Sequence, residues 1–416
     1  MGHIVQTPAG TWRANWREPS GRQRAKTFKT KREAAAFLAQ VEAAKSQGTY
    51  VSPHAGRMLF AQLAERWLAS RNDEATTMAR DASVMRTHVL PQWGTWQLGK
   101  IGHLDVQEWV TELGRTLAPA TVAECFRLTS AVLRSAVRAR LISSNPCEGV
   151  RLPRRRKRDS HGRTITREQL HTRLLPAVPA PYRGVVALAA GCGLRWGEIA
   201  GLRWDAVNLD TEEVRVIRTV VEVAGRTSFK PYPKSRAGRR TVPLPAFVAE
   251  LLRERTKRGT DPDALVFANR EGRPLLRGLF RARVWRPSLV RAGLLGRVVP
   301  LDAGGGGFEA RWTDANGTAH RARFTDHAEA VKHVARYQAG GMRFHDLRHC
   351  YGTWLVSDKV PINVVQKLMG HEHAATTLGL YVDTPDGLAN QVREVFMRRD
   401  DEDPEDGAAG VLVPVR

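Results

Sequence analysis

The stretch His345-Asp346-Leu347-Arg348, followed by Gly370-His371 and then by Tyr381, decides how the rest of this sequence is interpreted. His345 and Arg348 are three residues apart, so they share one face of a helix. A guanidinium binds phosphate oxygens through its rigid fork of donors, and a tyrosine hydroxyl can act as a covalent nucleophile. Two imidazoles, a guanidinium and a phenol in this order suit chemistry on a negatively charged phosphodiester.

The charge of the chain points to the same kind of partner. Its 416 residues include 65 Lys and Arg against 42 Asp and Glu, a net charge of +23. Such an excess can serve solubility alone, but here the basic residues cluster, most densely in Arg151-Leu152-Pro153-Arg154-Arg155-Arg156-Lys157-Arg158. Because clustered basic charge is the electrostatic footprint of phosphate binding, the composition predicts double-stranded DNA as the partner.

Cysteine usage and hydropathy limit the protein class. The four cysteines, Cys125, Cys147, Cys192 and Cys350, are scattered and form no C-x-x-C pair. This argues against a zinc ribbon and against a disulfide framework, and it fits a reducing cytoplasm. The first residues contain no apolar signal core, and no stretch has the length of a membrane span. We therefore expect a cytoplasmic, nucleoid-associated protein with no membrane partner.

Residues 1–50 are predicted to form a small β-sheet plus helix domain. Residues 12–16 and 24–28 alternate like strands around a turn at 18–21, and an Ala-rich helix follows over about 31–44. Basic residues occur on both strands, which is typical of a β-ribbon that contacts a DNA groove. The alternative is a small solvated domain. The candidate DNA contacts are Arg13, Arg17, Arg24 and Lys26.

Residues 57–150 have helical periodicity throughout and predict an all-helical domain. Helices are expected over about 79–90, 105–113 and 121–141, and the last presents a row of arginines outward. A basic linker at 151–163 follows, and it either tracks phosphates or is simply solvated. The candidate DNA contacts here are Arg127, Arg134, Arg138, Arg154, Arg155 and Arg156.

Residues 164–399 predict a mixed α/β domain that is mainly helical. A helical pattern over 183–202 is broken around Gly191-Cys192-Gly193, residues 214–223 are strongly strand-like, and residues 241–244 close another strand. Residues 388–399 are amphipathic and predict a helix. The remaining segment, 400–416, is acidic and is expected to be a disordered tail.

The small N-terminal unit is repeated inside this large domain. Residues 308–338 align without a gap onto residues 12–42 at an offset of 296. The alignment predicts a second strand–turn–strand–helix unit in an insertion at 298–341, and the glycine run Gly304–Gly307 before the aligned repeat is expected to be a hinge or linker. Its basic residues are fewer and acidic residues offset them, which predicts a weaker DNA binder or a protein–protein element. The coinciding pairs are Ala14/Ala310, Trp16/Trp312, Gly21/Gly317, Phe28/Phe324, Glu33/Glu329 and Ala34/Ala330.

Two further reactive residues lie upstream of the opening stretch. Arg195 follows the glycine break, where its side chain can emerge from a helix start, and Lys234 lies on a predicted hairpin turn before Val242-Pro243-Leu244. With these residues in place, five segments occur in a characteristic order. They are Gly193-Leu194-Arg195-Trp196-Gly197-Glu198, Pro233-Lys234-Ser235, His345-Asp346-Leu347-Arg348-His349, Leu368-Met369-Gly370-His371, and Tyr381 ten residues after His371.

In this set and order the chain resembles the tyrosine recombinase (phage-type integrase) family. The resemblance implies a multidomain architecture: an arm-type-site DNA-binding domain, a helical core-binding domain and a tyrosine recombinase catalytic domain. It departs from the family pattern at the inserted repeat between Lys234 and His345. There, such recombinases usually have a compact connection.

The resemblance also implies a role for each catalytic candidate. Tyr381 would attack the scissile phosphate, leaving a 3′-phosphotyrosyl bond and a free 5′-hydroxyl, and Arg195 and Arg348 would clamp the non-bridging oxygens. Lys234 would protonate the leaving oxygen, His345 would accept the tyrosine proton, and His371 would hydrogen-bond the phosphate. Glu198 and Asp346 are expected to orient arginines. No metal or other cofactor is expected, because the pair His371 and His373 has no third ligand at suitable spacing.

The resemblance further implies four protomers joined on two DNA sites by exchange of the C-terminal helix, and it allows an accessory DNA-bending or directionality factor. The expected function is integration or excision of a phage or other integrative element, encoded by a bacterium or phage. Two alternatives stay open: a catalytically inactive DNA-binding protein of the same fold, and an enzyme similar to type IB topoisomerases.

Overall fold

The computed structural model describes residues 2–19, 21–48, 50–52, 55–154, 164–230, 238–256, 260–301 and 306–372. The chain divides into two compact units, Met1–Asp159 and Ser160–Arg416. The predicted site residues Arg155, Arg156, Lys234 and Tyr381 lie outside the described residues, as do the predicted C-terminal helix and the acidic tail.

The chain begins with a three-stranded antiparallel sheet covered by one helix. The strands β1 (His3–Gln6), β2 (Trp12–Arg17) and β3 (Gln23–Phe28) lie in the order β1-β2-β3, and α1 (Lys31–Ser46) follows. Thr30 and Glu33 form a capping box that fixes the start of α1. Trp16 packs against Phe37 of the helix. The sequence predicted β2, β3 and the helix but missed β1, which is only four residues long.

The rest of the first unit is helical, as predicted. Its buried core is built around Phe60, Trp93, Leu128 and Leu133. The helix expected over 79–90 begins earlier and passes through a π-helical turn at Met85–Val89, just before Pro91, which has no N–H to donate to the preceding turn. The helices are α2 (Phe60–Ala69), α3 (Ala75–Val84), α4 (Leu90–Trp93), α5 (His103–Thr116) and α6 (Pro119–Arg138).

The second unit is a mainly helical domain with small sheets. In spatial order, its strands form a sheet of residues 207–208, 213–216 and 240–243, a hairpin of 219–223 and 226–230, and a sheet of 319–324, 308–313 and 297–300. The helices are α7 (Arg167–Gln169), α8 (Leu175–Ala177), α9 (Ala180–Gly191), α10 (Trp196–Ala200), α11 (Ala246–Arg253), α12 (Arg277–Phe280), α13 (Arg286–Arg291), α14 (His327–Tyr337), α15 (Asp346–Ser357) and α16 (Ile362–Met369). The strands are β4 (Val207–Asn208), β5 (Glu213–Val216), β6 (Thr219–Val223), β7 (Arg226–Lys230), β8 (Arg240–Pro243), β9 (Arg297–Pro300), β10 (Phe308–Thr313) and β11 (Ala319–Phe324).

The strand-like pattern over 214–223 is confirmed, but it is divided between two strands, β5 and β6. β5 pairs with β4 and β8, whereas β6 pairs only with β7, in a separate hairpin. The break falls at Ile217 and Arg218. The guanidinium of Arg218 donates to both carboxylate oxygens of Asp205, at 2.7 and 2.8 Å. This ion pair holds the chain at the corner between the two sheets, and strand propensity alone does not reveal it.

The inserted segment repeats the N-terminal unit in pairing register as well as in topology. Trp12 lies opposite Phe28 in the first unit, and Phe308 lies opposite Phe324 in the second. Both pairs are separated by the same offset of 296. The alanines at equivalent core positions, Ala14/Ala310 and Ala34/Ala330, are all fully buried.

The inserted unit is part of the core of the second unit of the chain. Ala310, Val331 and Val334 belong to the same buried hydrophobic cluster as residues of α9, α10 and α15. The guanidinium of Arg286, only 7% exposed, donates to the backbone carbonyls of Ala335, Gln338 and Gly340 at the end of α14. In the part of the chain that the structure describes, no helix combines the length and apolar character needed to cross a membrane.

Candidate active site

Arg195 lies at the N-cap of α10, just beyond the glycine break that the sequence shows. Gly193 has a φ of +61°, and a Cβ on it would lie 2.4 Å from a ring carbon of Tyr351. Only glycine fits this turn. The backbone N–H of Arg195 donates to Glu198 Oε2 at 2.8 Å, and its Nη1 donates to Glu198 Oε1 at 2.9 Å. Glu198 therefore orients Arg195 through both its backbone and its side chain, as expected.

Glu198 holds a second arginine, Arg240, in a buried bidentate pair. Arg240 Nη1 and Nη2 donate to the two carboxylate oxygens at 3.1 and 2.9 Å, and the two residues are 8% and 4% exposed. Burial raises the pKa of Glu198, but the hydrogen bond and charge of Arg240, with the charge of Arg195, outweigh it and lower the pKa to about 2. The carboxylate is therefore ionised near pH 7.

The arginines converge on the last carbonyls of α16. Arg240 Nε donates to the carbonyl of Leu368 at 2.6 Å, Arg348 Nη2 donates to that of Met369, and Arg195 Nη2 donates to that of Gly370 at 3.1 Å. The last carbonyls of a helix have no partner within the helix and carry its negative partial charge. Gly370 ends the helix with a φ of +59°. The helix end therefore fixes the guanidiniums in one cluster, from which His371 follows directly.

Arg348 is the most deeply buried of these arginines, at 2% exposed. Besides the Met369 carbonyl, it donates to the carbonyl of Gly193, at the glycine break that precedes Arg195. Arg348 thus ties α15 both to the turn that carries Arg195 and to the segment that carries His371.

The two imidazoles lie beside this cationic cluster. Burial, and then the charges of Arg348, Arg195 and Arg240, lower the pKa of His371 to about 4. His345 precedes α15, and part of its ring is exposed to solvent. Desolvation by the surrounding protein, and then His349, Arg348 and Arg195, lower its pKa. Both imidazoles are neutral near pH 7, so each has one ring nitrogen that can accept a proton or a hydrogen bond.

The structure therefore brings Arg195, His345, Arg348 and His371 together, and it adds Arg240, which the sequence analysis did not select. Burial alternates along β8, with Arg240 and Val242 inside. That alternation is visible in Arg240-Thr241-Val242-Pro243, and it was the signal that could have identified Arg240. No group of three or more His, Cys, Asp or Glu side chains suited to a metal occurs within the described residues.

The predicted DNA contacts divide into two kinds. Arg134, Arg138 and Arg154 are exposed, and Arg17 is exposed at the end of β2. The remaining basic residues also make contacts inside the fold: Arg24 pairs with Glu18 at 2.9 Å, Lys26 lies over the rings of Phe28 and Phe37, and Arg127 pairs with Glu124 and with the buried Asp81. Arg13 is exposed, on the opposite side of β2 from Trp12 and Ala14.

The chain is similar in sequence to known integrases. Residues 165–298 and 317–386 match the profile of the phage integrase family, ranges that include all six catalytic candidates. The interruption falls within the inserted unit. A putative prophage phiRv2 integrase of Mycobacterium tuberculosis is 30% identical over 281 residues, covering 64% of this chain and 72% of that protein. An integrase of Streptomyces ambofaciens is 24% identical over 373 residues, covering 88% and 86%.

The fold is similar to that of solved integrases. The Tn1549 transposon integrase in complex with a circular intermediate DNA superposes with a TM-score of 0.57 at 16% identity, covering 82% of this chain and 99% of that one. A lambda integrase dimer bound to a COC′ core site gives a TM-score of 0.51 at 14% identity, covering 91% and 93%.

Proposed function

Since this chain belongs to the phage integrase family of tyrosine recombinases, we propose that it is a site-specific recombinase that cuts and rejoins double-stranded DNA through a 3′-phosphotyrosine at Tyr381. Its biological task is the integration or excision of a phage or other integrative element. The observation that carries this proposal is the cluster of Arg195, Arg348 and His371 around the end of α16, with Glu198 and Arg240 holding Arg195 in place.

The cluster suits an anionic transition state. The side chains of Arg195, Arg240, Arg348 and Glu198 bring an excess of positive charge into a largely buried site. Fixed donors aimed at developing charge are usually the largest catalytic contribution, because the protein need not reorganise during the reaction. Arg195 is the least buried of the three arginines, with a side chain 38% exposed, so it is the one best placed to meet a non-bridging phosphate oxygen.

The proposed reaction transfers the scissile phosphate from the 5′-oxygen of the DNA to Tyr381. The Oη of Tyr381 forms a bond to phosphorus, the bond from phosphorus to the 5′-oxygen breaks, and Lys234 gives a proton to that oxygen. His345 accepts the tyrosine proton, which is possible because its lowered pKa keeps the imidazole neutral. Rejoining reverses these steps with the 5′-hydroxyl of a different strand.

The nucleophile is tested by Tyr381→Phe, with Tyr337→Phe as a control because Tyr337 is an exposed tyrosine on α14. The substrate is a nicked duplex that carries the attachment site from the DNA flanking the gene. We expect the unaltered chain and Tyr337→Phe to form covalent protein–DNA adducts, and Tyr381→Phe to bind DNA without forming them. Adducts that persist in Tyr381→Phe would show that another residue is the nucleophile.

The same assay separates the alternatives. A catalytically inactive DNA-binding protein would form no adduct with the unaltered chain. An enzyme of the type IB topoisomerase kind would relax supercoiled plasmid that has no attachment site, whereas we expect relaxation only when the site is present.

Assembly on DNA forms part of the proposal. A solved lambda integrase tetramer bound to a Holliday junction has a similar fold, with a TM-score of 0.50. We propose that this chain also works as a tetramer, joined through residues 388–399, with an accessory DNA-bending or directionality factor for one direction of the reaction. Truncation after residue 387 should abolish two-site complexes in gel-shift experiments, and unchanged complexes would disprove the role of this segment.

A further inference from the structure

The sheet of the inserted unit has two faces of different chemistry. Helix α14 covers one face, where the rings of Trp312 and Phe324 lie 4.5 and 5.0 Å from the ring of His333. Because side chains alternate along a strand, the residues between these aromatic positions point to the opposite face. On that outer face lie Arg297 of β9, Glu309 and Arg311 of β10, and Arg321 and Arg323 of β11.

The strand register sets three of these arginines in one row. Arg311 lies directly opposite Arg321 on one side and directly opposite Arg297 on the other. All three side chains are exposed, as is that of Arg323. Like charges directly opposite each other destabilise a sheet. The row therefore works against folding, and some other role must account for it.

Of the residues that the structure describes, one carboxylate, that of Glu309, lies among these arginines. Glu309 pairs with Arg311, and the pKa of Glu309 is lowered by this hydrogen bond and by the charges of Arg311, Arg321 and Arg323. In the described part of the chain, Arg297, Arg321 and Arg323 form no ion pair. The outer face thus carries more positive charge than the protein itself neutralises.

The other acidic residues of the unit that the structure describes serve local structure away from this face. Asp314 accepts backbone hydrogen bonds within the turn between β10 and β11 and pairs with His320. Asp326 caps α14, and Glu329 lies in the first turn of that helix. Although acidic and basic residues are similar in number in the inserted unit, its outer face is therefore strongly basic.

We propose that the outer face formed by Arg297, Arg311, Arg321 and Arg323, the basic face of the inserted unit, binds the phosphate backbone of double-stranded DNA. This rests on the proposed function, in which DNA is the substrate, and adds a contact that the catalytic residues do not make. Guanidiniums bind phosphates through paired donors. Adjacent strands are about 4.8 Å apart, so the row presents a ladder of such donors.

A DNA partner fits this face better than a protein partner does. The buried centre of a protein interface is depleted in charge and enriched in aromatic side chains. Here the aromatic residues Phe308, Trp312 and Phe324 are directed to α14, and the residues directed outward include four arginines and no aromatic residue. The surface offers charge and few apolar anchors.

The proposal is tested with matched double variants of the full chain. Arg321→Ala/Arg323→Ala removes two charges from the basic face, and Lys332→Ala/Arg336→Ala removes two exposed charges from α14 on the other side of the same unit. Binding to a fluorescent duplex is measured by anisotropy at several salt concentrations. Each lost phosphate contact reduces the slope of log K against log salt by about 0.9, so the first variant should lose about 2 from its slope and the second should lose none.

A third variant, Arg321→Lys/Arg323→Lys, keeps the charge and should retain most of the slope even if the alanine variant folds poorly. An unchanged slope in the alanine variant would overturn the proposal, as would an equal loss in the α14 control. If the alanine variant instead loses self-association in size-exclusion chromatography with its slope unchanged, the face is a protein interface. Because binding is measured without cleavage, failure here is distinct from absence of the Tyr381 adduct, which would contradict the proposed function.

Discussion

At the scale of single residues, the candidate site depends on a buried ion pair between two residues that are far apart in the chain. Glu198 meets Arg240 and Arg195 at once, and the arginines are fixed in turn by the end of α16. A guanidinium that is already held loses little further freedom when it binds phosphate. We therefore assign Arg240 as a positioning residue, which acts through Glu198 on Arg195.

Arg240→Ala should destabilise the protein and impair cleavage. Removing one partner of a buried ion pair leaves an uncompensated charge and costs about 3–5 kcal/mol in the free energy of unfolding. Urea denaturation measures this cost, and the adduct assay measures cleavage. Arg226→Ala, which removes an exposed arginine of β7, should change the free energy of unfolding by less than about 0.5 kcal/mol. Equal effects of the two substitutions would contradict the assignment.

The change of the free energy of unfolding with pH should be set by the titration of His345, His349 and His371. The folded-state pKa of His371 is about 4, and those of His345 and His349 are also lowered, whereas an unfolded histidine titrates near pH 6.5. Between these values the unfolded chain binds more protons, so the free energy of unfolding rises with pH up to about 6.5 and then levels off. Glu198, with a folded-state pKa of about 2, adds to this rise only below about pH 5, because an unfolded glutamate titrates near pH 4.3.

Urea denaturation at about pH 5, 6, 7 and 8 tests this expectation, since the window lies around the ordinary histidine pKa. In a His349→Asn/His371→Asn variant, the free energy of unfolding should rise less between about pH 5 and pH 7 than in the unaltered chain. Stability that falls from pH 5 to pH 7 in the unaltered chain would show that the imidazoles are charged in the folded state.

Residue identity and spacing predicted much of this site. Arg195, His345, Arg348 and His371 were selected from motifs, and the structure places them in one cluster. Arg240 was missed because a buried arginine is informative only once its partner is known, and Glu198 lies 42 residues away. Local sequence shows that a side chain can be charged, but it does not show which residue far away in the chain will form an ion pair with it.

At the scale of elements, the inserted unit shows what a pattern can and cannot predict. Its strands and helix followed from alignment with residues 12–42, because a gapless repeat transfers turns and strand register together. The alignment did not predict how the inserted unit is attached to the rest of the domain. The buried Arg286 of α13, with its three carbonyl acceptors, ties the end of α14 to the rest of the domain.

Arg286→Ala should therefore loosen the inserted unit. The substitution removes the donor from one buried carbonyl, that of Ala335, and from two partly buried ones, at about 1–3 kcal/mol for each group that stays unsatisfied. We expect the free energy of unfolding, measured by urea denaturation, to fall by roughly 3 kcal/mol. Arg283→Ala, at an exposed position three residues earlier, is the control. A result for Arg286→Ala within the error of the control would show that the guanidinium does not hold the unit.

At the scale of the whole molecule, charge and the division into two units govern DNA binding. The net charge is +23, and the exposed arginines are distributed over both Met1–Asp159 and Ser160–Arg416. Each unit has its own buried hydrophobic core, which includes Leu128 in the first unit and Leu188 in the second. We therefore expect residues of both units to contact DNA phosphates.

Affinity for a duplex should fall steeply with salt. A protein with 6–10 phosphate contacts loses about 10³–10⁵ in affinity between about 50 and 200 mM salt. Anisotropy titrations of the full chain and of residues 160–416 alone measure the two slopes. We expect the shorter chain to fold and to show the smaller slope. Equal slopes would mean that the first unit makes no phosphate contacts.

The shared register of the two small sheets has a consequence for protein engineering. Positions 13, 15, 25 and 27 correspond one to one with Glu309, Arg311, Arg321 and Arg323, while the buried alanines beneath them are the same in both copies. The outer residues of one sheet can thus be grafted onto the other without repacking the interior. We expect a graft of the arginines of the inserted sheet onto positions 15, 25 and 27 to give the N-terminal sheet a phosphate-binding surface.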